Sequence, residues 1–422
     1  MKRPVNGARI LAAVTAVAFI GSVSAWRPAT VSSPVNISFW TSGSTDGVAQ
    51  IVNQFNHTYH STYHINFRAI PYSNETTVVN SALTAHRAPE LMEESLTFSA
   101  SYAVEGLELP ITPFLKMAGI NPTVDFPKPM WDLAALNGVH YVAPTDGLPT
   151  VLYWNKAMFK AAGLNPNQPP RTLSQFVADA KKLSQPSKGI WGYVQEPAWP
   201  APFLFPSLLG QFGGTEANAS TKKMEFDSKA GISAVQFMYN CIYKWHISPT
   251  NASSGESHNL FYEGKNAMMM TGAYDYAEAK AKLGRNLGFT TLPVIGKKAS
   301  DFLGQNYWWV FKNPNLTPKA KKGIALFMKF FYDHSIELAK AGVLPVWQPA
   351  FTKSAFKNIP GFSVQAAALQ AGIMNPLIPG WGTAGSYLYN AIDGALLNKG
   401  TIPQALKKAA QQMEQTLNQP QA

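Results

Sequence analysis

The sequence predicts an α/β fold, because short apolar strands alternate with amphipathic helices along the chain. Strands are predicted at residues 36–40, 64–70 and 90–95, and helices at 46–59 and 75–85 lie between them. This order is typical of parallel sheets with helices packed on their faces. The chain of 422 residues is too long for one compact core, since a domain averages roughly 150 residues.

The rest of the chain continues the alternation. Thr172 with Gln175 forms a capping box, and Thr317 followed by Pro318 marks another helix start. Asp227 is expected to cap a long helix. The remaining segments are strands or extended runs at 141–143, 151–155, 267–271, 287–292 and 307–311, helices at 228–244 and 317–331, and a mainly helical end at 363–422 with a capping box at Thr401 and Gln404.

The composition indicates an ordered globular protein that is poor in charge. Hydrophobic residues make up 46% of the chain and charged residues only 14%, with 35 basic against 24 acidic side chains. The lysine pairs are scattered, so no nucleic-acid partner is expected. The shortage of acids suggests an acidic habitat, since carboxylates lose their charge at low pH. One cysteine, Cys241, excludes an internal disulfide and an all-cysteine zinc site.

The N-terminus has the pattern of a secretory signal peptide over residues 1–25. A basic start is followed by an apolar segment at 10–20 and small residues at 23–25. An uncleaved anchor is the alternative, although the apolar segment is short for a membrane span. No lipobox cysteine follows it. The mature protein is therefore expected outside the cytoplasm, either secreted, periplasmic or associated with the cell surface.

The chain lacks the common catalytic motifs, including those of serine hydrolases, zinc proteases and nucleotide-binding proteins. Glu93 and Glu94 are adjacent on a predicted strand, so their side chains point to opposite faces and cannot act as a pair on one substrate. His57, His60 and His64 do not share one face. We therefore expect neither an enzyme nor a metal or other cofactor.

Aromatic residues lie in the Pro- and Gly-rich breaks between elements, among them Trp199, Trp347 and Trp381. Aromatic faces with nearby amide and carboxylate groups suit a carbohydrate, whose C–H face packs on a ring and whose hydroxyls need polar partners. Burial in the core would explain some of these rings equally well.

Several segments together resemble the extracellular solute-binding proteins, type 1, that supply ABC importers. They are NISFWTSGSTDGVAQIVNQF at 36–55, ALTAHRAPELMEES at 82–95, the stretch at 137–183 that contains LYWNKAMFKAAGL, FYEGKNAMMMTGAY at 261–274 and AGVLPVWQPAF at 341–351. The resemblance is to the sugar-binding branch and runs in order through nearly the whole mature chain.

The resemblance implies a two-lobed, periplasmic-binding-protein-like fold of type II, with hinged lobes and a central cleft. Residues 34–146 plus 304–342 would form the N-terminal lobe, and 147–303 plus 343–422 the C-terminal lobe. It also implies a monomer that binds a ligand without turnover and delivers it to the transmembrane subunits of an ABC permease.

Order and spacing are most similar to binding proteins for sn-glycerol-3-phosphate, yet the residues that hold the phosphoglycerol in those relatives are replaced. Their hydroxyl and arginine side chains correspond to Asn74, Gly147-Leu148, Gly272-Ala273, Val343 and Tyr389. Without these groups the charge-assisted phosphate contacts are lost. A sugar or oligosaccharide ligand is therefore predicted, with a glycerol-3-phosphate or glycerophosphodiester binder, or a secreted carbohydrate-active enzyme, as alternatives.

The candidate ligand-binding residues follow strand ends, crossings and ligand loops. They are Trp40, Ser42, Asp46, Glu94 and Asp146 in the first lobe, Trp199, Tyr274 and Asp275 in the second, Asn306 at a crossing, and Trp347, Trp381 and Tyr387 in the C-terminal part.

Overall fold

The computed structural model describes residues 33–42, 45–71, 74–197 and 201–419. Residues from Pro34 onward form one compact unit. The predicted signal segment lies outside the described residues. Within the described ranges, no helix has both the length and the apolar character needed to cross a membrane.

The strands of the described residues are short except for one long central strand. In chain order they are β1 (Val35–Thr41), β2 (Tyr63–Ala69), β3 (Leu91–Ser95), β4 (Ala135–Leu136), β5 (Val139–His140), β6 (Val142–Pro144), β7 (Asp146–Asn155), β8 (Trp191–Tyr193), β9 (Ala217–Asn218), β10 (Lys223–Met224), β11 (Asn266–Gly272), β12 (Leu287–Thr291), β13 (Asp301–Gly304), β14 (Asn306–Val310), β15 (Leu344–Pro345) and β16 (Gly372–Ile373).

The helices lie between these strands and dominate the C-terminal part. In chain order they are α1 (Thr45–Thr58), α2 (Glu75–Thr84), α3 (Leu96–Val104), α4 (Thr112–Ala118), α5 (Pro122–Asp125), α6 (Lys128–Leu133), α7 (Lys156–Ala161), α8 (Leu173–Leu183), α9 (Ala201–Gln211), α10 (Lys229–Tyr243), α11 (Glu256–Tyr262), α12 (Tyr276–Leu283), α13 (Pro318–Asp333), α14 (Ile336–Lys340), α15 (Gln348–Phe351), α16 (Ser354–Lys357), α17 (Phe362–Ala371), α18 (Trp381–Leu396) and α19 (Ile402–Leu417).

The first sheet has the strand order β2-β1-β3-β14-β6. Strands β1, β2 and β3 are parallel, as the strand–helix alternation predicts, whereas β14 runs antiparallel to β3 and β6. Phe39 packs between Trp308 and Phe327, with ring centroids 5.2 and 5.5 Å apart. The late strand β14 and helix α13 therefore complete a core that the N-terminal strands begin.

The second sheet is built around β7, which pairs with β11, β12, β13 and β15. Nearly all of this strand is buried because partners cover both its edges and helices cover its faces. Met268, Met269 and Met270 of β11 are fully buried and belong to the core. The thiol of Cys241 is buried in the same half of the molecule.

The chain crosses between the sheets at the junctions of β6 with β7 and of β13 with β14. Asp146 and Asn306 stand at these junctions, and the carboxylate of Asp146 accepts hydrogen bonds from the backbone N–H and the side-chain amide of Asn306 at 3.1 and 3.0 Å. The backbone N–H of Thr145 also donates to the carbonyl of Asn306 at 2.9 Å. The two crossings are thus held side by side.

The third predicted crossing, near residue 343, does not separate the two halves cleanly. Strand β15 pairs with β7 of the second sheet. Val343, Trp347 and Phe356, which the sequence assigned to the second lobe, pack instead in the core of the first sheet. The lobe boundaries inferred from the sequence remain a proposal.

Some local expectations need correction. The N-cap of α10 is Ser228, without a side-chain cap, and not Asp227. At α8 the hydroxyl of Thr172 accepts from the N–H of Gln175, but the Gln175 side chain accepts from the N–H of Arg171, so the box is only half formed. The hydroxyl of Thr317 caps α13 as expected.

The expected box at α19 is also incomplete. Thr401 is its N-cap but makes no cap hydrogen bond, and its hydroxyl bonds the Gln404 side chain instead.

Candidate functional site

A cavity of about 490 Å³ lies between the two sheets, a size within the usual range of small-molecule sites. Strand ends and helix starts of both halves contribute its walls, and the crossing between β13 and β14 contributes its floor. Its described lining residues are Ser42, Glu94, Ser95, Leu96, Thr97, Phe98, Leu148, Phe203, Tyr274, Phe302, Leu303, Gly304, Gln305, Asn306, Asn375, Trp381, Gly382, Gly385 and Tyr389.

The wall on the side of the first sheet is mainly polar. Ser42 follows β1, while Glu94 and Ser95 end β3 and lead into α3. The backbone N–H of Ser95 donates to Oε1 of Glu94 at 2.7 Å, and the Ser95 hydroxyl caps α3 by accepting from the N–H of Thr97. The carboxyl ends of parallel strands therefore bring hydroxyl and carboxyl groups to one wall.

The opposite wall is aromatic. The ring of Phe203 makes edge contacts with Tyr274 and Phe302, each with centroids 5.5 Å apart. Gly272 is required here, because a Cβ at this position would lie 2.1 Å from Cε1 of Tyr274. The hydroxyls of Tyr274 and Thr271 lie 3.2 Å apart, which fixes the direction of the Tyr274 ring.

The start of α18 closes a third side and contacts the first half of the molecule. Gly380 adopts a left-handed backbone with φ of 83°, and its N–H donates to the hydroxyl of Ser101 on α3 at 2.9 Å. A Cβ on Gly382 would lie 2.4 Å from the ring of Phe98. These two contacts place Trp381 at the edge of the cavity, with its side chain almost fully buried.

Two buried carboxyl groups lie side by side at the polar wall. Oε2 of Glu75 accepts from the hydroxyl of Ser42 at 3.2 Å, and the Glu75 carboxyl is close enough to hydrogen-bond that of Glu94. Burial raises the pKa of Glu75 to about 7 and that of Glu94 well above its usual range, and the charge of Glu75 raises the pKa of Glu94 further. The pair therefore holds a proton near neutral pH.

A second pair lies beneath the floor, on the other face of β3. Burial, followed by the charge of Asp146, raises the pKa of Glu93 to about 8, and burial raises that of Asp146 to about 6. Oε2 of Glu93 accepts from the hydroxyl of Thr41 at 3.2 Å. As expected from strand geometry, the side chains of Glu93 and Glu94 lie in different environments.

Five of the residues predicted from the sequence line the cavity: Ser42, Glu94, Tyr274, Asn306 and Trp381. The side chain of Asp46 and the whole of Trp199 lie outside the described residues.

The other five candidates lie elsewhere. Asp146 is hydrogen-bonded behind Asn306, and Asp275 is bonded to the imidazole of His258 at 2.8 Å. Trp40 is buried beneath the guanidinium of Arg68, which lies 4.7 Å from its ring centroid. The remaining two, Trp347 and Tyr387, pack in or against the cores of the two halves.

Trp347 is stacked on Tyr332 in the core of the first sheet, with centroids 5.0 Å apart. Tyr387 packs against the core of the second sheet. Trp381, Gly385 and Tyr389 recur every four residues along α18 and line the cavity, whereas Tyr387 is two residues from each neighbour and therefore lies on the opposite face of the helix.

Sequence reasoning missed Glu75, Phe98, Phe203, Phe302, Asn375 and Tyr389. The four-residue spacing from Trp381 would have found Tyr389 if the helix had been predicted to start at that tryptophan. Phe98 follows the end of β3 by three residues, so the rule on strand ends also applied to it. Glu75 gave no signal, because its role depends on its proximity to Glu94.

Comparison with known proteins agrees with this architecture. A family model described as bacterial extracellular solute-binding protein matches residues 41–336. The sn-glycerol-3-phosphate-binding periplasmic protein UgpB of Yersinia pseudotuberculosis is 27% identical in an alignment of 223 residues that covers 49% of this chain and 49% of the relative. The chain thus matches about half the length of that curated relative.

Two solved structures are similar in fold. A solute-binding protein of an ABC transporter from Thermotoga lettingae, bound with α-D-tagatose, superposes with a TM-score of 0.79 at 19% identity, covering 91% of this chain and 100% of the other. UgpB of Mycobacterium tuberculosis, in complex with glycerophosphocholine, gives 0.77 at 18% identity, covering 91% and 98%. The likeness confirms the two-lobed α/β fold.

The buried carboxyls predict that the protein is more stable in mild acid. Glu75 titrates near 4.5 when unfolded and near 7 when folded, so the folded state binds more protons between these values. Stability should therefore fall as pH rises through this window, by about 1.4 kcal/mol per pH unit for each such proton. Denaturant unfolding between pH 4.5 and 8 measures this slope.

Glu75→Gln should reduce that slope by about one proton, whereas Glu105→Gln, at an exposed carboxyl, should leave it unchanged. Stability that rises steadily from pH 5 to pH 8 would contradict the assignment.

Proposed function

The chain belongs to the family of bacterial extracellular solute-binding proteins, and on that premise we propose that it is the substrate-binding component of an ABC importer. It captures a sugar or oligosaccharide between its two lobes and delivers the ligand to the permease. The binding event takes place in the cavity between the two sheets, and the hinge lies at the crossings beside Asp146 and Asn306.

The lining of the cavity supports a carbohydrate ligand. One wall offers hydroxyl, amide and carboxyl groups, and the other offers the rings of Phe203, Tyr274 and Phe302. A sugar has both surfaces, because its C–H face packs on a ring while its hydroxyls require hydrogen-bond partners once water is excluded. The α-D-tagatose complex of the Thermotoga lettingae protein is in keeping with this proposal.

A glycerophosphate ligand is the second candidate, because the curated relatives bind sn-glycerol-3-phosphate. A phosphate group normally requires arginine, lysine or several backbone N–H donors. No lysine or arginine is among the described residues that line the cavity. Leu148 and Tyr389 stand in the lining at positions where the sequence comparison expected a serine and an arginine. The cavity therefore favours the sugar.

The proposal includes no catalysis. Glu75 and Glu94 are in hydrogen-bond contact with each other, whereas the two carboxyl groups of a glycosidase stand about 5 Å or more apart with the scissile bond between them. The protein would act outside the cytoplasm as a monomer, with the transmembrane subunits of a permease as its partner, and without nucleic acid or cofactor.

A thermal-shift screen tests the proposal. We expect D-tagatose, maltose, maltotriose or a related saccharide to raise the melting temperature, because a ligand that binds only the folded state stabilises it by mass action. sn-Glycerol-3-phosphate at the same concentration should give a smaller shift. The tightest saccharide should be recovered chemically unchanged after hours with micromolar protein. A shift with glycerol phosphate alone, or release of a cleaved product, would contradict the proposal.

Two tyrosines on α18 provide a matched pair for the site. Tyr389→Ala removes a ring from the cavity and should weaken binding of the tightest saccharide about 5- to 150-fold, since a stacking ring contributes on the order of 1–3 kcal/mol. Tyr387→Ala, on the opposite face of the same helix, should leave affinity unchanged. Titration calorimetry of both folded variants measures the difference. Equal effects would place the ligand elsewhere.

A further inference from the structure

Among the described residues, the polar wall of the cavity contains buried carboxyl groups but no basic side chain. Glu94 lines it, Glu75 lies directly behind, and Glu93 and Asp146 lie beneath the floor. No ion pair joins any of these four carboxyls to a lysine, arginine or histidine within the described ranges. Buried carboxylates are normally paired with a cation or held neutral.

Glu94, at the cavity wall, also has a buried carboxyl oxygen that lacks a donor among the described residues. Its side chain is only 2% exposed, yet it contributes to the cavity lining. Oε1 accepts from the N–H of Ser95, whereas Oε2 accepts no hydrogen bond from any hydroxyl or N–H group of the described residues. A proton shared with Glu75 satisfies the pair in the empty protein, and a donor on the ligand would complete it.

The surrounding rings favour a positively charged donor. Phe98, Tyr274, Trp381 and Tyr389 line the same cavity from three elements. Aromatic faces attract an ammonium group, and a site that combines such faces with a carboxylate is typical of sites for amines and quaternary ammonium groups.

We propose that the ligand is a saccharide that carries a protonated amino group, and that this group binds beside Glu94 with the Glu75–Glu94 carboxyl pair as its counter-charge. The inference rests on the proposed function and narrows its ligand class. On binding, the cation takes the place of the shared proton, which passes to the solvent. A neutral sugar would donate a hydroxyl to Oε2 instead and leave the proton in place.

The other titratable groups near the pair do not supply this charge. Glu93 adjoins Glu94 on β3, and Tyr102 of α3 faces both carboxyls; each is neutral or negative. Arg68 on β2 lies over the ring of Trp40. The pH dependence of cation binding should therefore arise from titration of the Glu75–Glu94 pair.

Matched saccharides test the inference with the whole mature protein. The pairs are D-glucose with D-glucosamine, D-galactose with D-galactosamine, and maltotriose with the fully deacetylated chitosan trimer. In at least one pair the aminated member should bind about 10- to 100-fold more tightly at pH 7. Calorimetry in two buffers of different ionisation enthalpy should show release of up to one proton.

As the pH is lowered into the range where the free pair is fully protonated, affinity for the aminated member should fall about tenfold per pH unit, because binding must release a proton. Glu94→Gln should reduce its affinity to that of the neutral sugar and should remove the associated proton release. Glu75→Gln should retain a preference for the amine, because Glu94 keeps its contact. Melting curves of both variants check that they fold.

The possible failures are distinguishable. If neutral sugars bind as well as their aminated partners and release no proton, the inference is wrong and the proposed function stands. If no saccharide of either kind binds, both are wrong. If Glu94→Gln folds and retains full preference for the amine, the charge is recognised elsewhere and the inference is also wrong.

Discussion

The hydrogen bonds between Asp146 and Asn306 join the two crossings on which the two-lobed arrangement depends. Both residues are buried, and the amide and N–H of Asn306 have their acceptors in one carboxylate. This contact lies at the first residues of both β7 and β14. It therefore determines which edge of each sheet lies next to the crossings. The cavity, its polar wall and its aromatic wall all lie at that edge.

Local patterns predicted the parallel strands β1 to β3, the methionine strand β11 and the capped start of α13, since these depend on near neighbours in the chain. Trp347 and Trp40 show where prediction from local sequence fails. A tryptophan beside a proline or at a strand end has the same local sequence whether it faces a ligand or a core, and only packing against Tyr332 or beneath Arg68 decides. The Glu75–Glu94 pair is likewise invisible in sequence, because it joins a helix start to a different strand.

The two walls of the cavity differ in chemistry because different backbone features build them. Strand ends and the N-cap of α3 gather oxygen atoms on one side, where buried acids stay neutral by sharing protons. On the opposite wall, the missing side chain of Gly272 lets the ring of Tyr274 approach the backbone, and at the start of α18 Gly382 does the same for Phe98. One wall of the cavity thus presents aromatic rings, and the other presents carboxyl groups that are protonated because they are buried.

The position of β14 in the first sheet also affects how the chain folds. This strand lies between β3 and β6, yet residues 145–305 separate it from the end of β6 along the chain. The first core therefore cannot close until the segment that builds most of the second sheet has been synthesised, and contacts so distant in sequence form slowly.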